Sequence, residues 1–140
     1  MRKRTKNMRG VAAVAAAFLC AAFAYALTRS PVFAGDGYEL SLGDSSSARI
    51  LPTDTPALDK LFTPVAGESA RWEGDVRREL LCRYRARVLF TEEVCGVVNY
   101  YCFSPLLGGG VVLNGETVNL HIAAGNGRTA AGTPVIFGGF

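Results

Sequence analysis

The stretch Val111–Ile122, "VVLNGETVNLHI", carries the clearest structural instruction in the chain. Asn114-Gly115 sits between two apolar runs. A two-residue hairpin turn needs positive φ at both central positions, which Asn and Gly tolerate best. Beyond the turn, Val118, Leu120 and Ile122 alternate with Asn119 and His121, so the first set is expected to face a core and the second set solvent. "GNGR" (Gly125–Arg128) supplies a second turn and "TPVIF" (Thr133–Phe137) a closing strand. The tail therefore reads as an antiparallel β-meander.

Working outward from the tail, "VCGVVNYYCF" (Val94–Phe103) is rich in β-branched and aromatic residues and reads as a strand, with Gly96 marking a bulge or bend. Ser104-Pro105 ends it, because proline cannot donate to a ladder. "RVLFT" (Arg87–Thr91) has strand composition as well. Asp75 is placed to cap a helix through "VRRELLCRYRA" (Val76–Ala86). In that helix Val76, Leu80 and Tyr84 recur every four residues beside Leu81, and Cys82 falls towards the polar face. Further upstream, "YELSL" (Tyr38–Leu42), "ARIL" (Ala48–Leu51) and "SARWE" (Ser69–Glu73) read as short strands, with a turn at Gly43–Ser47. Thr55 is placed to cap a short helix with Pro56 at its first position, over Ala57–Phe62. These elements predict an α+β domain: an antiparallel sheet with one main helix packed on one face.

The N-terminus has a different character. "MRKRTKNMR" carries five positive charges and no negative one, and the apolar run Gly10–Leu27 follows. "TRSPVFA" ends at Ala34 with small-residue cleavage-site chemistry. Residues 1–34 are thus expected to be a secretory signal cut after Ala34 or an uncleaved membrane anchor, and residues 35–140 an extracytoplasmic domain. This partition changes the meaning of the net charge of +3. Six of the fifteen Lys and Arg precede Gly35 with no acid among them, so the exported part carries nine bases against twelve acids, a net −3. An acidic domain is a poor partner for nucleic acid, whose affinity is dominated by phosphate contacts.

Candidate chemistry is sparse. Three cysteines follow the leader: Cys82, Cys95 and Cys102. A bridge between Cys82 and Cys95 is the more plausible pairing, since Cys95 and Cys102 would face opposite ways in one strand. No close cysteine pair suggests zinc. Cys102 with His121, the single histidine, is the one nucleophile–base pair to consider for a hydrolase. Glu92 and Glu93 are adjacent and point apart in an extended chain, unlike a facing acid pair. Arg77, Arg78, Arg83, Arg85 and Arg87 cluster on or after the helix, where they can solvate its outer face or meet an anionic surface. Of Tyr100 and Tyr101, one is expected to meet the helix and the other water or a partner. "GGG" (Gly108–Gly110) lacks the ending of a phosphate loop and reads as a connector. No residue is assigned a catalytic, cofactor-binding or metal-ligating role.

"YYCFSP" (Tyr100–Pro105), "LNGETVNLHIA" (Leu113–Ala123) and "RTAAGTPVIF" (Arg128–Phe137) together resemble the C-terminal part of the YwmB-type proteins. These are exported proteins of spore-forming bacteria with a TATA-box-binding-protein-like fold. The resemblance implies a curved antiparallel sheet with a helix on one face and implies no catalytic residues. The chain is short for two such lobes, and the segment before Asp75 has no counterpart in the pattern. The expected function is therefore non-enzymatic: an extracytoplasmic binding or structural protein at the cell surface, meeting a protein or a wall polymer through the uncovered sheet face. The alternatives are a small hydrolase using Cys102 and His121, and membrane-surface attachment through the arginine-rich helix.

Overall fold

The computed structural model describes residues 2–45 and 47–140, with side chains from Asn7 onward. Of the expected turn at Gly43–Ser47, Ser46 lies outside the described residues, as do Met1 and the side chains of Arg2–Lys6 in the basic leader. The chain divides into two units, Met1–Ser30 and Pro31–Phe140. The first is a single helix, α1 (Arg2–Thr28). Within it Asn7–Thr28, 22 residues, is long and apolar enough to cross a membrane. At 1.5 Å per residue this stretch measures about 33 Å, against about 30 Å of hydrocarbon.

The second unit has the α+β architecture expected of it. In chain order it contains β1 (Asp36–Ser41), β2 (Ile50–Pro52), α2 (Pro56–Phe62), β3 (Gly67–Glu73), α3 (Arg77–Arg83), β4 (Arg87–Val94), β5 (Val97–Phe103), β6 (Val111–Leu113), β7 (Glu116–Val118), β8 (Leu120–Gly125) and β9 (Arg128–Thr133). Seven strands form one antiparallel sheet in the order β2-β1-β3-β9-β8-β5-β4, and β6 with β7 forms a separate hairpin. The helix side of the sheet holds the core. Leu40, Ala70, Cys102, Leu120, Ile122 and Ala131 pack there with Leu80 and Tyr84 of the α3 region and with Phe33 and Tyr38. Lys60 of α2 reaches Glu68 of β3 at 2.7 Å, and Tyr38 donates to the second carboxylate oxygen, also at 2.7 Å. This buried cluster ties α2 to the sheet with both carboxylate oxygens occupied, as a buried charge requires.

Several local expectations are corrected. The helix after Asp75 is seven residues, ending before Tyr84 as the chain turns through Arg85 at φ +48°. Asp75 sits one residue outside the cap position, accepting the Arg77 N–H at 3.1 Å. Thr55 makes no capping bond; Thr53 Oγ1 accepts the Thr55 N–H instead. Cys95-Gly96 is a two-residue hairpin turn between β4 and β5, with φ +53° and +79°, where a bulge or bend at Gly96 was expected. Cysteine at a positive-φ turn position gives no compositional warning.

The tail departs from a simple meander. Both Asn-Gly pairs form hairpin turns at positive φ: Asn114-Gly115 between β6 and β7, and Asn126-Gly127 between β8 and β9. The chain leaves the first hairpin at Asn119, which is fully buried rather than solvated. Its side chain accepts from Ser104 N at 2.7 Å and donates to the carbonyls of Ser104 at 2.8 Å and Leu107 at 2.9 Å. It thereby satisfies the backbone where Ser104-Pro105 breaks β5. Of "TPVIF" only Thr133 is in a strand, as the last residue of β9; from Pro134 the segment runs back over the second face of the sheet. Val135 and Ile136 lie against Gly132, Phe137 lies against Gly67, and Arg71 donates to the Gly139 carbonyl at 2.8 Å. An added Cβ at Gly132 would come within 2.8 Å of that backbone, so the absence of a side chain there permits the crossing.

Candidate functional site

Cys102 and His121 are not brought together. Cys102 is paired with Leu120 and faces the helix side; His121 is paired with Tyr101 and faces the other way. The thiol is fully buried, which pushes its pKa up to about 12. His121 is buried too, contrary to the solvated face expected from its alternation, because the C-terminal segment covers it. Its Nδ1 accepts the Ile136 N–H at 3.2 Å, which leaves Nε2 to donate to Asn99 Oδ1 at 3.0 Å. Burial lowers its pKa to about 4. The imidazole is a neutral clip for the tail, with both nitrogens engaged.

Cys82 and Cys95 are free and exposed, so the bridge considered between them is absent. Glu92 and Glu93 alternate in register and point apart, as expected. Among the described residues no cluster of His, Cys, Asp and Glu is placed to hold a metal. The arginines do not form one patch. Arg77 lies over the Tyr100 ring on the helix side at 4.9 Å, whereas Arg87 lies over Phe103, on the opposite face of β5, at 5.8 Å.

The two tyrosines divide as anticipated. Tyr100 packs against the helix-side core, and Tyr101 stands on the other face between Phe90 and His121. Phe90–Tyr101 and Tyr101–His121 are each stacked at 4.6 Å, at 20° and 15°. Rings stacked face to face across strands shield one another, so this ladder is no flat platform for a ligand. Burial, then the Glu92 carboxylate at 3.3 Å, raises the Tyr101 pKa.

A concave feature with polar groups at its rim lies on the helix side, beside the start of α3. It is a groove of about 250 Å³ lined by Asp75, Arg77, Val98, Tyr100, Gly127 and Arg128, with a floor from Ala124 and Gly125. Thr129 sets its geometry. Fully buried on β9, Thr129 accepts the Val76 N–H at 3.2 Å and donates to the Gly74 carbonyl at 2.7 Å, fixing the chain just before α3. That anchors Arg77, which bonds the Tyr100 hydroxyl and pairs with Asp75 at 3.5 Å. Arg128 follows the Asn126-Gly127 turn at the rim of the groove, and alternation with Thr129 sets its side chain on the opposite face of β9, with Arg71 and Phe140. The groove thus presents one guanidinium, that of Arg77, braced by Asp75 and the Tyr100 hydroxyl beside an apolar wall, an arrangement suited to a carboxylate or phosphate group.

The sequence places Arg77 and Tyr100 among its candidates and gives no reason to single out Arg128 or Thr129. Thr129 stands on β9, and only the register that sets it beside Ala124, and Ala124 beside Val98, brings it to the Tyr100 end of β5. Comparison with protein-family models, with curated proteins and with solved structures yields no match to this chain.

Proposed function

We propose that this chain is a membrane-anchored, extracytoplasmic binding protein whose groove between α3 and the β8–β9 turn takes an anionic group of a cell-surface polymer or protein. The observation that carries the reading is Arg77, braced by Tyr100 and Asp75 at one groove whose geometry Thr129 holds. The resemblance to YwmB-type exported proteins supports a surface role and adds no catalytic residue.

Anchoring rather than release is supported by residues 31–34. Phe33 is 5% exposed and belongs to the domain core. Tyr84 donates its hydroxyl to the Val32 carbonyl at 2.7 Å, and Trp72 Nε1 donates to the Ala34 carbonyl at 3.0 Å. A cut after Ala34 would excise a core side chain, so the apolar helix stays attached as an anchor. Acidity of the domain and its location outside the membrane oppose a nucleic-acid role.

The test is calorimetric titration of the detergent-solubilised chain with a glycerol-phosphate oligomer and with an acidic peptide. At least one is expected to bind with salt-sensitive affinity, weakened roughly tenfold by Arg77→Ala, since hydrogen bonds to charged groups are worth about 1.5–3 kcal/mol. Binding that ignores Arg77 would sink the assignment.

A further inference from the structure

We propose that β4 is a homotypic docking edge: two copies of this chain pair their β4 strands antiparallel about Phe90 and join their sheets into one. β4 is an edge of the seven-stranded sheet and runs eight residues, Arg87–Val94, mostly exposed. The other edge, β2, is three residues ending at Pro52 and offers little to pair with.

Long edges are usually guarded by charge and by bulges. β4 has both, and their arrangement is what identifies the partner. The register slips between Val88 and Phe90, which absorbs one residue. As a result Arg87, Phe90 and Glu92, opposite Phe103, Tyr101 and Asn99 of β5, all stand on the same face. In ladder steps Arg87 lies two before Phe90 and Glu92 two after. Antiparallel pairing centred on Phe90 therefore sets Arg87 against Glu92 of the second copy, and, by the two-fold symmetry, Glu92 against Arg87 of the second copy. Val88, 42% exposed, is covered opposite Thr91 of the second copy. An edge bearing one sign of charge would repel itself; this edge is complementary to itself.

The ring ladder points the same way. His121, Tyr101 and Phe90 step across β8, β5 and β4 at 4.6 Å intervals and stop at Phe90, whose outer face is at the edge. A paired strand lies about 4.8 Å further on. It would set Phe90 of the second copy in the next stacking position and continue the ladder through both sheets.

The experiment is sedimentation velocity on the detergent-solubilised full chain, with folding checked by circular dichroism. The wild type is expected to show a concentration-dependent dimer. Arg87→Glu and Glu92→Arg each set like charges opposite one another twice, weakening the dimer about tenfold or more, and the double variant recovers it. Recovery distinguishes self-pairing, because a foreign partner strand would not follow the swap. A wild type monomeric throughout, single variants as dimeric as wild type, or a folded double variant that fails to recover would each overturn the proposal. Hydrogen exchange gives a readout free of mutation: the outward β4 amides gain protection as concentration rises, and protection that does not change with concentration refutes the pairing.

Discussion

Replacing Phe33 by alanine tests whether residues 31–34 belong to the domain or to a disposable leader. The ring is 5% exposed and meets Trp72 edge-on at 6.0 Å and Tyr84 edge-on at 5.7 Å. Truncating a buried phenylalanine costs about 3–5 kcal/mol, part of it from such ring pairs at about 0.5–1.5 kcal/mol each. About 4 kcal/mol is a large share of the stability of a domain this size, about 5–15 kcal/mol, and corresponds to a fall in Tm of roughly 15–25 °C. The assay is thermal and urea unfolding followed by Trp72, the single tryptophan and itself a neighbour of the deleted ring. Phe62→Ala, at a site 85% exposed, serves as control and is expected to change stability by less than about 0.5 kcal/mol. A chain begun at Gly35 loses the ring together with the Tyr84–Val32 and Trp72–Ala34 bonds, and should be no more stable than Phe33→Ala. A Phe33→Ala protein within about 1 kcal/mol of wild type would falsify the claim that the segment is structural, and with it the physical case for a retained anchor. The corresponding observation in cells is the intact mass of the chain in the membrane fraction.

Three further outcomes are expected. Asn119→Ala strands two buried backbone groups of Ser104 and a half-buried one of Leu107 and should cost about 3 kcal/mol in urea unfolding; a loss below about 1 kcal/mol refutes its role as the lock on the break after β5. His121 is held neutral in the fold with a pKa of about 4, against about 6.5 unfolded, so the unfolded chain takes up the proton first as pH falls. Stability is then complete above about pH 6.5 and declines towards pH 4 by roughly 3 kcal/mol, a component that His121→Phe should remove; equal pH profiles for the two proteins count against it. With a water-soluble thiol reagent, Cys82 and Cys95 should label in the native protein and Cys102 only on unfolding, and rapid native labelling of Cys102 would revive a nucleophilic role.

Local chemistry made much of the architecture legible in advance. Asn114-Gly115 and Asn126-Gly127 both formed their turns because positive φ is a property of the dipeptide itself. The spacing of Val76, Leu80 and Tyr84 found the helix face that packs on the sheet, and adjacent positions sent Tyr100 and Tyr101 to opposite sides. The groove was legible only by half: Arg77 and Tyr100 stood out, whereas Thr129 looked like an ordinary strand residue.

By itself, then, the sequence determined the apolar N-terminal helix, the acidic α+β domain and most strand positions, since those follow from composition and from periods of two and 3.6 residues. Tertiary structure alone decided that Asn119 and His121 are buried, that residues 134–137 cross the sheet instead of joining it, and that Phe33 belongs to the core. Alternation tells which residues share a face but not what covers that face. The cover for Asn119 is the Ser104–Leu107 loop, and the rest comes from both ends of the domain, Val32–Ala34 and Val135–Gly139; no local pattern records contacts made across such separations.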